Sequence, residues 1–478
     1  MSASQAQNDA DSLKGYIAEN RLTGHKMAKN RVHDSAAADD YSHRAVWAIA
    51  LPMMLSALSV PLVGMVDTAV MGHLDKPVYL AAVALNTTIF SVLLMGLNFL
   101  RMGTTGVTAQ AFGSGSSERM SESLVQPLVL AAGLAIVILL LQLPIQNLAL
   151  WVLNPAEATS LLAEQYFAIR IWATPAVLLN FVFVGWLLGM QDAKGPLLII
   201  LVVNISNAVL DFVFVMGLGW GVAGVATATL IAEVAGLVTG LALVVAKLKQ
   251  RTFVWNLAHY VSLDKYKGLF AINRDLFIRS LALMFTLAFI TAQGARLGDL
   301  YLATNALLMN FLLFASYALD GIAHAAEALT GKAVGTRSRV GLEAAVRRTL
   351  SWTLGFASLL SIAYLLGGNL LIELLSSIPE LQTSARTYLP WLVVLPLVAA
   401  PCFLYDGVFV GTTRSREMRI VMVASALLVF LPVWYLCRGL ENHALWLALN
   451  MFMLARSLAM HLWYRRLLDS GQLIARPA

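Results

Sequence analysis

Carboxylates stand in this chain where the neighbouring residues are almost wholly apolar. Asp67 lies in SVPLVGMVDTAVMGHL (residues 59–74), and Asp211 closes NISNAVLD (204–211). An acid at the centre of a membrane helix costs about 2.5–3.5 kcal/mol on insertion scales, so it is expected to face a cavity or the bundle interior and to mark a route for ions or substrate. Snorkelling of Asp67 to the outer surface is the alternative. Asn204, Asn207 and Asp211 fall at i, i+3 and i+7, on one helix face. One amide in a span is often interhelical glue, whereas two amides and an acid on one stripe read as a small hydrophilic site. If Asp67 and Asp211 share one chamber, proton uptake neutralises it, and a cationic cargo held there loses its partner. That is a direct physical route to antiport. Sodium is the alternative coupling ion where enough oxygens converge.

A second stripe carries Tyr317, Asp320, His324 and Glu327 at i, i+3, i+7 and i+10. Its far end approaches the basic GKAVGTRSR (331–339), so an ion pair of Glu327 with a lysine or arginine is as strong a reading as a part in transport. Asp406 sits beside Tyr405 near the end of an apolar run. Arg101, Arg279 and Arg456 lie near the ends of such runs, where long side chains are expected to snorkel toward water. Met and aromatic residues such as Met65, Met95, Phe289 and Met309 suit lipophilic cations; they are equally ordinary packing material.

These residues need helices to hold them in oil. Of the 478 residues, 59% are hydrophobic and 13% charged, against about 25% charged in soluble domains. Apolar runs of about 20 residues, the length that crosses the hydrocarbon as a helix, recur along nearly the whole chain. Twelve spans are expected: 44–71, 79–112, 123–143, 162–189, 196–216, 222–246, 273–296, 301–332, 349–372, 387–411, 418–437 and 443–464. With the N-terminus inside, about 25 of the 33 Lys and Arg residues fall on the cytoplasmic side, as short loops prefer. Both termini are therefore expected in the cytoplasm, and Asp67 and Asp211 in the outer halves of their spans. The first forty or so residues are polar and lack an apolar signal region. Pro52 and Pro61 remove backbone hydrogen bonds ahead of Asp67, and Pro61 is a candidate hinge.

Sliding the chain by 222 residues lays the segment from Leu80 over that from Leu302, matching Leu97 with Leu319, Thr108 with Thr330 and Gly113 with Gly335. The same shift pairs Asn98 with Asp320 and Thr105 with Glu327, so the polar stripe recurs at equivalent depth. Copies separated by an even number of spans share one topology and are related by an axis along the membrane normal. The expected organisation is a cytoplasmic tail (1–43), a six-helix lobe (44–248), a cytoplasmic linker (249–272), a second six-helix lobe (273–466) and a cytoplasmic tail (467–478). The fold class is thus all-α integral membrane, with two lobes in pseudo-twofold relation.

Other classes find less support. The net charge of +6 is not gathered on one folded face as nucleic-acid binding requires. His324 and Glu327 alone are a weak metal signal, no nucleophile with its base is evident for an intramembrane enzyme, and no Walker segment points to ATP. The two cysteines, Cys402 and Cys437, fall in apolar runs. No cofactor or metal is expected. A lipid-linked oligosaccharide flippase stays open as an alternative, since Arg101 and Arg279 could meet a pyrophosphate.

At PLVGMVDTAVMGHL (61–74), AQAFG (109–113) and NISNAVLDFVFVMGLGWGVAGVATAT (204–229), the sequence resembles the multidrug and toxic compound extrusion (MATE) family, in its DinF-type branch. The resemblance covers nearly everything after about Tyr41. It implies two lobes forming a V, a cleft alternately open to each side, and export of cationic or amphiphilic small molecules against inward protons or sodium. The family's first-helix acid matches Asp67, and its fifth-helix Asn-x-x-x-Asp pair matches Asn207 and Asp211. Some members carry an acid in the seventh span; LALMFTLAFITAQ (281–293) has none, which leaves Asp406 in the second lobe and favours protons over sodium. The resemblance implies a monomer in a bacterial inner membrane, with the lipid bilayer as its surroundings.

Overall fold

The computed structural model describes residues 40–72, 77–250 and 266–474, apart from the side chains of residues 62, 63, 67 and 68. The expected N-terminal tail (1–43) and linker (249–272) fall largely outside the described residues, whereas most of the expected C-terminal tail (467–478) is described and begins as a continuation of the last helix to Asp469. Among the described residues, twelve helices are long and apolar enough to cross a membrane: α1 (His43–Gly72), α2 (Pro77–Ser114), α3 (Ser117–Leu140), α4 (Glu157–Gly189), α5 (Lys194–Gly217), α6 (Gly221–Lys249), α7 (Tyr266–Leu297), α8 (Asp299–Gly335), α9 (Arg339–Leu375), α10 (Pro379–Gly411), α11 (Ser415–Leu440) and α12 (Asn442–Asp469). No strand occurs among them.

Most of these helices outrun their apolar stretches. Hydropathy marks only the part that lies in oil, while Arg, Glu and Lys at the flanks are good helix formers and carry the backbone onward. The start of α7 at Tyr266 takes seven residues from the expected linker. A further short helix, Gln142–Leu153, follows α3, lies almost wholly beyond the expected end of that span at 143, and ends at Asn154 in the left-handed conformation (φ 43°).

Four spans depart locally from the α-helix. A break at Asn98 divides α2. A 3₁₀ turn at Ile171–Ala173 interrupts α4 ahead of Pro175, whose ring cannot accept the regular i→i−4 geometry. α5 closes in a π-helical segment, Phe212–Gly217, immediately after Asp211, and α11 contains another at Ala426–Phe430.

The helix neighbours repeat with a shift of six. α1 packs on α5 and α7 on α11; α2 packs on α4 and α8 on α10; α3 packs on α4 and α9 on α10. The halves are joined in the same repeated manner, because α1 packs across α8 and α7 across α2. One cluster of buried apolar side chains runs from Val46 and Met53 of α1 through Leu100 and Trp186 to Leu329 and Tyr405. It fuses the halves at the end of the bundle that carries most Lys and Arg, here termed the basic end. A second cluster, around Leu308, Leu392, Phe430 and Phe452, belongs to the second half alone.

Backbone meets backbone at the basic end. A Cβ at Gly106 of α2 would collide with the Val410 carbonyl oxygen of α10, and one at Gly113 with the carbonyl of Lys332 on α8. Only glycine permits such an approach.

Candidate functional site

Two polar sites emerge, and the structure keeps them apart. The first lies among α1, α5 and α6. Asn204 donates from Nδ2 to the Ser59 hydroxyl across α5 and α1 at 2.6 Å. Asn207 donates to Oγ1 of Thr229 on α6 at 3.2 Å. Asp211, one turn further on the same face, is fully buried. The stripe expected from spacing thus faces protein, and Thr229 and Ser59 are hydroxyl partners that the stripe alone did not identify. Asp67 lies on the continuous helix α1, but its side chain is outside the described residues. Pro61 sits within α1 without interrupting it. Its missing N–H withholds a hydrogen bond from the carbonyl of Ala57, which lines the central cavity.

A neighbouring network had no counterpart in the sequence reading. Asn180 of α4 donates to Glu233 of α6 at 3.2 Å, and Arg170 lies over the Phe90 ring at 5.0 Å to its centroid. The signal was present, because Glu233 is an acid inside an apolar span just as Asp67 is.

The second site is a cavity of about 740 Å³ between the halves, closed toward the basic end by the glycine contacts. Asn98, Tyr317, Asp320, His324, Glu327 and Asp406 all line it. Asn204, Asn207 and Asp211 are not on its wall, so the polar stripe of α5 and the polar stripe of α8 face different places. A volume of this size suits a drug-sized ligand, and Met95, Met309, Leu287 and Phe403 supply an adaptable apolar wall.

At the break in α2, Asn98 accepts a hydrogen bond from Arg101 Nε at 3.1 Å. The same guanidinium reaches α8, with Nη1 3.4 Å from His324 Nδ1 and 3.8 Å from Glu327 Oε2. His324 and Glu327 are themselves 3.2 Å apart. Asp406 of α10 receives Arg279 of α7 and, at 2.9 Å, Arg456 of α12 on the same oxygen, Oδ2. Asp320, half-buried on the wall, makes no hydrogen bond or ion pair among the described residues.

The arginines therefore depart from the snorkelling expectation. Arg456 is 3% exposed and Arg279 9%; both turn inward because Asp406 offers a charged acceptor closer than water. Glu327 does pair with an arginine, but with Arg101 of the other half rather than with the basic loop that follows it.

Comparison with known proteins agrees with this architecture. A family model described as MatE matches residues 52–213 and 276–436, once in each half. The chain is 45% identical over 430 residues to DNA damage-inducible protein F of Escherichia coli (strain K12), covering 89% of this chain and 92% of that protein. It is 23% identical to the multidrug export protein MepA of Staphylococcus haemolyticus, over 83% of this chain and 87% of that one. Among solved structures, a MATE protein crystallised in a bent conformation superposes with a TM-score of 0.84 at 20% identity, covering 92% of this chain and 98% of the other.

Proposed function

The chain belongs to the MatE family, and from that premise we propose that this multi-pass membrane protein is a secondary antiporter that exports amphiphilic small molecules, cationic ones included, in exchange for inward protons. The observation that carries the coupling is Asp211, fully buried beside the Asn207–Thr229 bond and directly before a π-helical segment. A carboxylate there is tolerable when its charge is repeatedly cancelled, and π-segments often occur where a helix carries function. In this reading Asp67, four helices away in sequence order but on the packing partner α1, shares the proton with Asp211. Pro61 lets α1 bend as it does so. Asp320 and Tyr317 attract the cationic end of a cargo in the cavity.

Transport follows from rocking of the halves. Cargo enters from the cytoplasm when the basic end is open, and the glycine seal re-forms as the far end opens. Both termini lie in the cytoplasm of a bacterial inner-membrane protein in this arrangement, placing the seal on the inner side.

Proteoliposomes loaded with rhodamine 6G test the coupling. Asp211→Asn is expected to abolish efflux driven by a pH gradient while leaving binding of the dye in the absence of a gradient. Wild-type efflux driven by sodium and not by protons would reassign the ion, and undiminished proton-driven efflux by Asp211→Asn would refute the coupling role. A lipid-linked oligosaccharide flippase is the second reading, favoured by one observation, the three arginines on the cavity wall.

A further inference from the structure

We infer that Arg279 and Arg456, sharing Asp406 between them, form a subsite in the central cavity for the anionic head of an amphiphile. The inference rests on the cavity being the cargo chamber, and it adds a cargo class that a purely acidic chamber would reject.

Charge and donor counting carry the argument. Arg101 is matched by Glu327 across the cavity floor. Arg279 and Arg456 have one carboxylate between them, and both engage its Oδ2. Each guanidinium offers five N–H donors in a planar fork. Arg456 spends one on Asp406 and one, at 3.4 Å, on the weak acceptor Met453 Sδ. Arg279 spends Nη2 alone. The Nε atoms of both are buried without a partner, whereas Nη1 of Arg279 has no partner and is not buried. Two cations thus engage one carboxylate oxygen, with donors in excess of acceptors, while the third carboxylate of the wall, Asp320, forms no hydrogen bond or ion pair with either of them.

A second carboxylate, sulfonate or phosphate arriving from the cavity supplies both deficits. Its oxygens accept from the free edge of Arg279, and its charge balances the second guanidinium. Bidentate geometry of this kind is what arginine provides and lysine does not. The apolar wall then takes the tail of the ligand. Asp320 leaves room for an amine on the same molecule, so zwitterions fit as well as simple anions.

The test uses matched probes, pyrenebutanoate and the corresponding pyrenebutyl trimethylammonium, titrated by fluorescence into the full chain in phosphatidylcholine nanodiscs with empty discs subtracted. No gradient is present, so the outcome is independent of whether Asp211 couples transport. The wild type is expected to bind the carboxylate. Asp406→Asn, which frees both arginines, should tighten it about tenfold, as an added charge-assisted bond does. The charge-balanced double variant Arg279→Gln with Asp406→Asn should weaken it about tenfold relative to wild type, and the ammonium probe should bind the double variant as it binds the wild type. Where Asp406→Asn fails to fold, the double variant against wild type decides. Absence of specific carboxylate binding, or equal weakening of both probes in the double variant, overturns the proposal. Phosphatidylglycerol in the discs displaces the probe if the natural ligand is a bilayer lipid; displacement only by added dodecyl sulfonate assigns it to a soluble amphiphile.

Discussion

Nη1 of Arg101 lies 3.8 Å from Oε2 of Glu327, and these two atoms belong to opposite halves of the repeat. His324 joins them from the Glu327 side. Any motion that parts the halves at the basic end must break this contact, which in the closed arrangement holds a carboxylate only 2% exposed.

Glu327→Gln is accordingly expected to favour separation of the halves at the basic end. An ion pair at 3.8 Å is longer than a hydrogen bond and contributes about 1 kcal/mol, enough to enlarge a minor open population about fivefold. Spin labels at the exposed positions Glu118 and Arg416 would report it as growth of a longer-distance component. An unchanged distance distribution would show that the pair does not latch the halves.

The glycine seal makes a sterically independent case. Gly113→Ala places a methyl group against the carbonyl of Lys332 and penalises only the closed arrangement. In a protein with Cys402 and Cys437 replaced, a thiol introduced at Gln110, buried where it bonds Gly411 and Thr413 of the other half, should react with maleimide about tenfold faster in the alanine variant, corresponding to about 1.4 kcal/mol. Equal rates would mean that the helices absorb the methyl without opening.

A buried amide pair fixes α8 to α12. Asn305 and Asn442 exchange hydrogen bonds at 2.7 and 3.0 Å, and Trp446 Nε1 donates to Asn305 at 2.9 Å. Asn305→Ala leaves three groups, Asn442 Oδ1, Asn442 Nδ2 and Trp446 Nε1, without this partner and should cost about 3 kcal/mol or more in unfolding measurements, since each orphaned group costs roughly 1–3 kcal/mol. The double variant with Asn442→Ala should cost less than the sum of the singles. Additive losses would argue against direct coupling.

Tyr41, just ahead of α1, is 2% exposed and holds Lys332 over its ring at 5.5 Å. Burial raises its pKa above the ordinary 10.0, opposed by a hydrogen bond from Thr336 and reinforced by the charge of Asp40. A raised folded-state value means that stability is fully present below about pH 10 and is lost as pH climbs through the folded value. The thermal midpoint should therefore fall more steeply above pH 10 in the wild type than in Tyr41→Phe. Parallel alkaline profiles would exclude a contribution from the phenol.

Much of this architecture was legible from residues alone. The spans, the 222-residue offset and the polar face of α8 followed from periodicity, because an apolar span permits few places for a charge. The inward turn of Arg279 and Arg456 was not legible. A long cation near a helix end has two good solutions, water or a buried acid, and only the tertiary position of Asp406 selects between them. The separation of Asp211 from the cavity was likewise hidden, since spacing places residues on a face without telling which neighbour that face meets. Glu233 could have been found by the same cost argument applied to Asp67. Arg101 reaching Glu327 could not, because the residues are 226 positions apart in sequence.

The closure at the basic end is built of main chain lying on main chain at Gly106 and Gly113. Such a plug has no rotamers through which to loosen by degrees. It is either seated or withdrawn, so a partly parted bundle offers small solutes no intermediate passage.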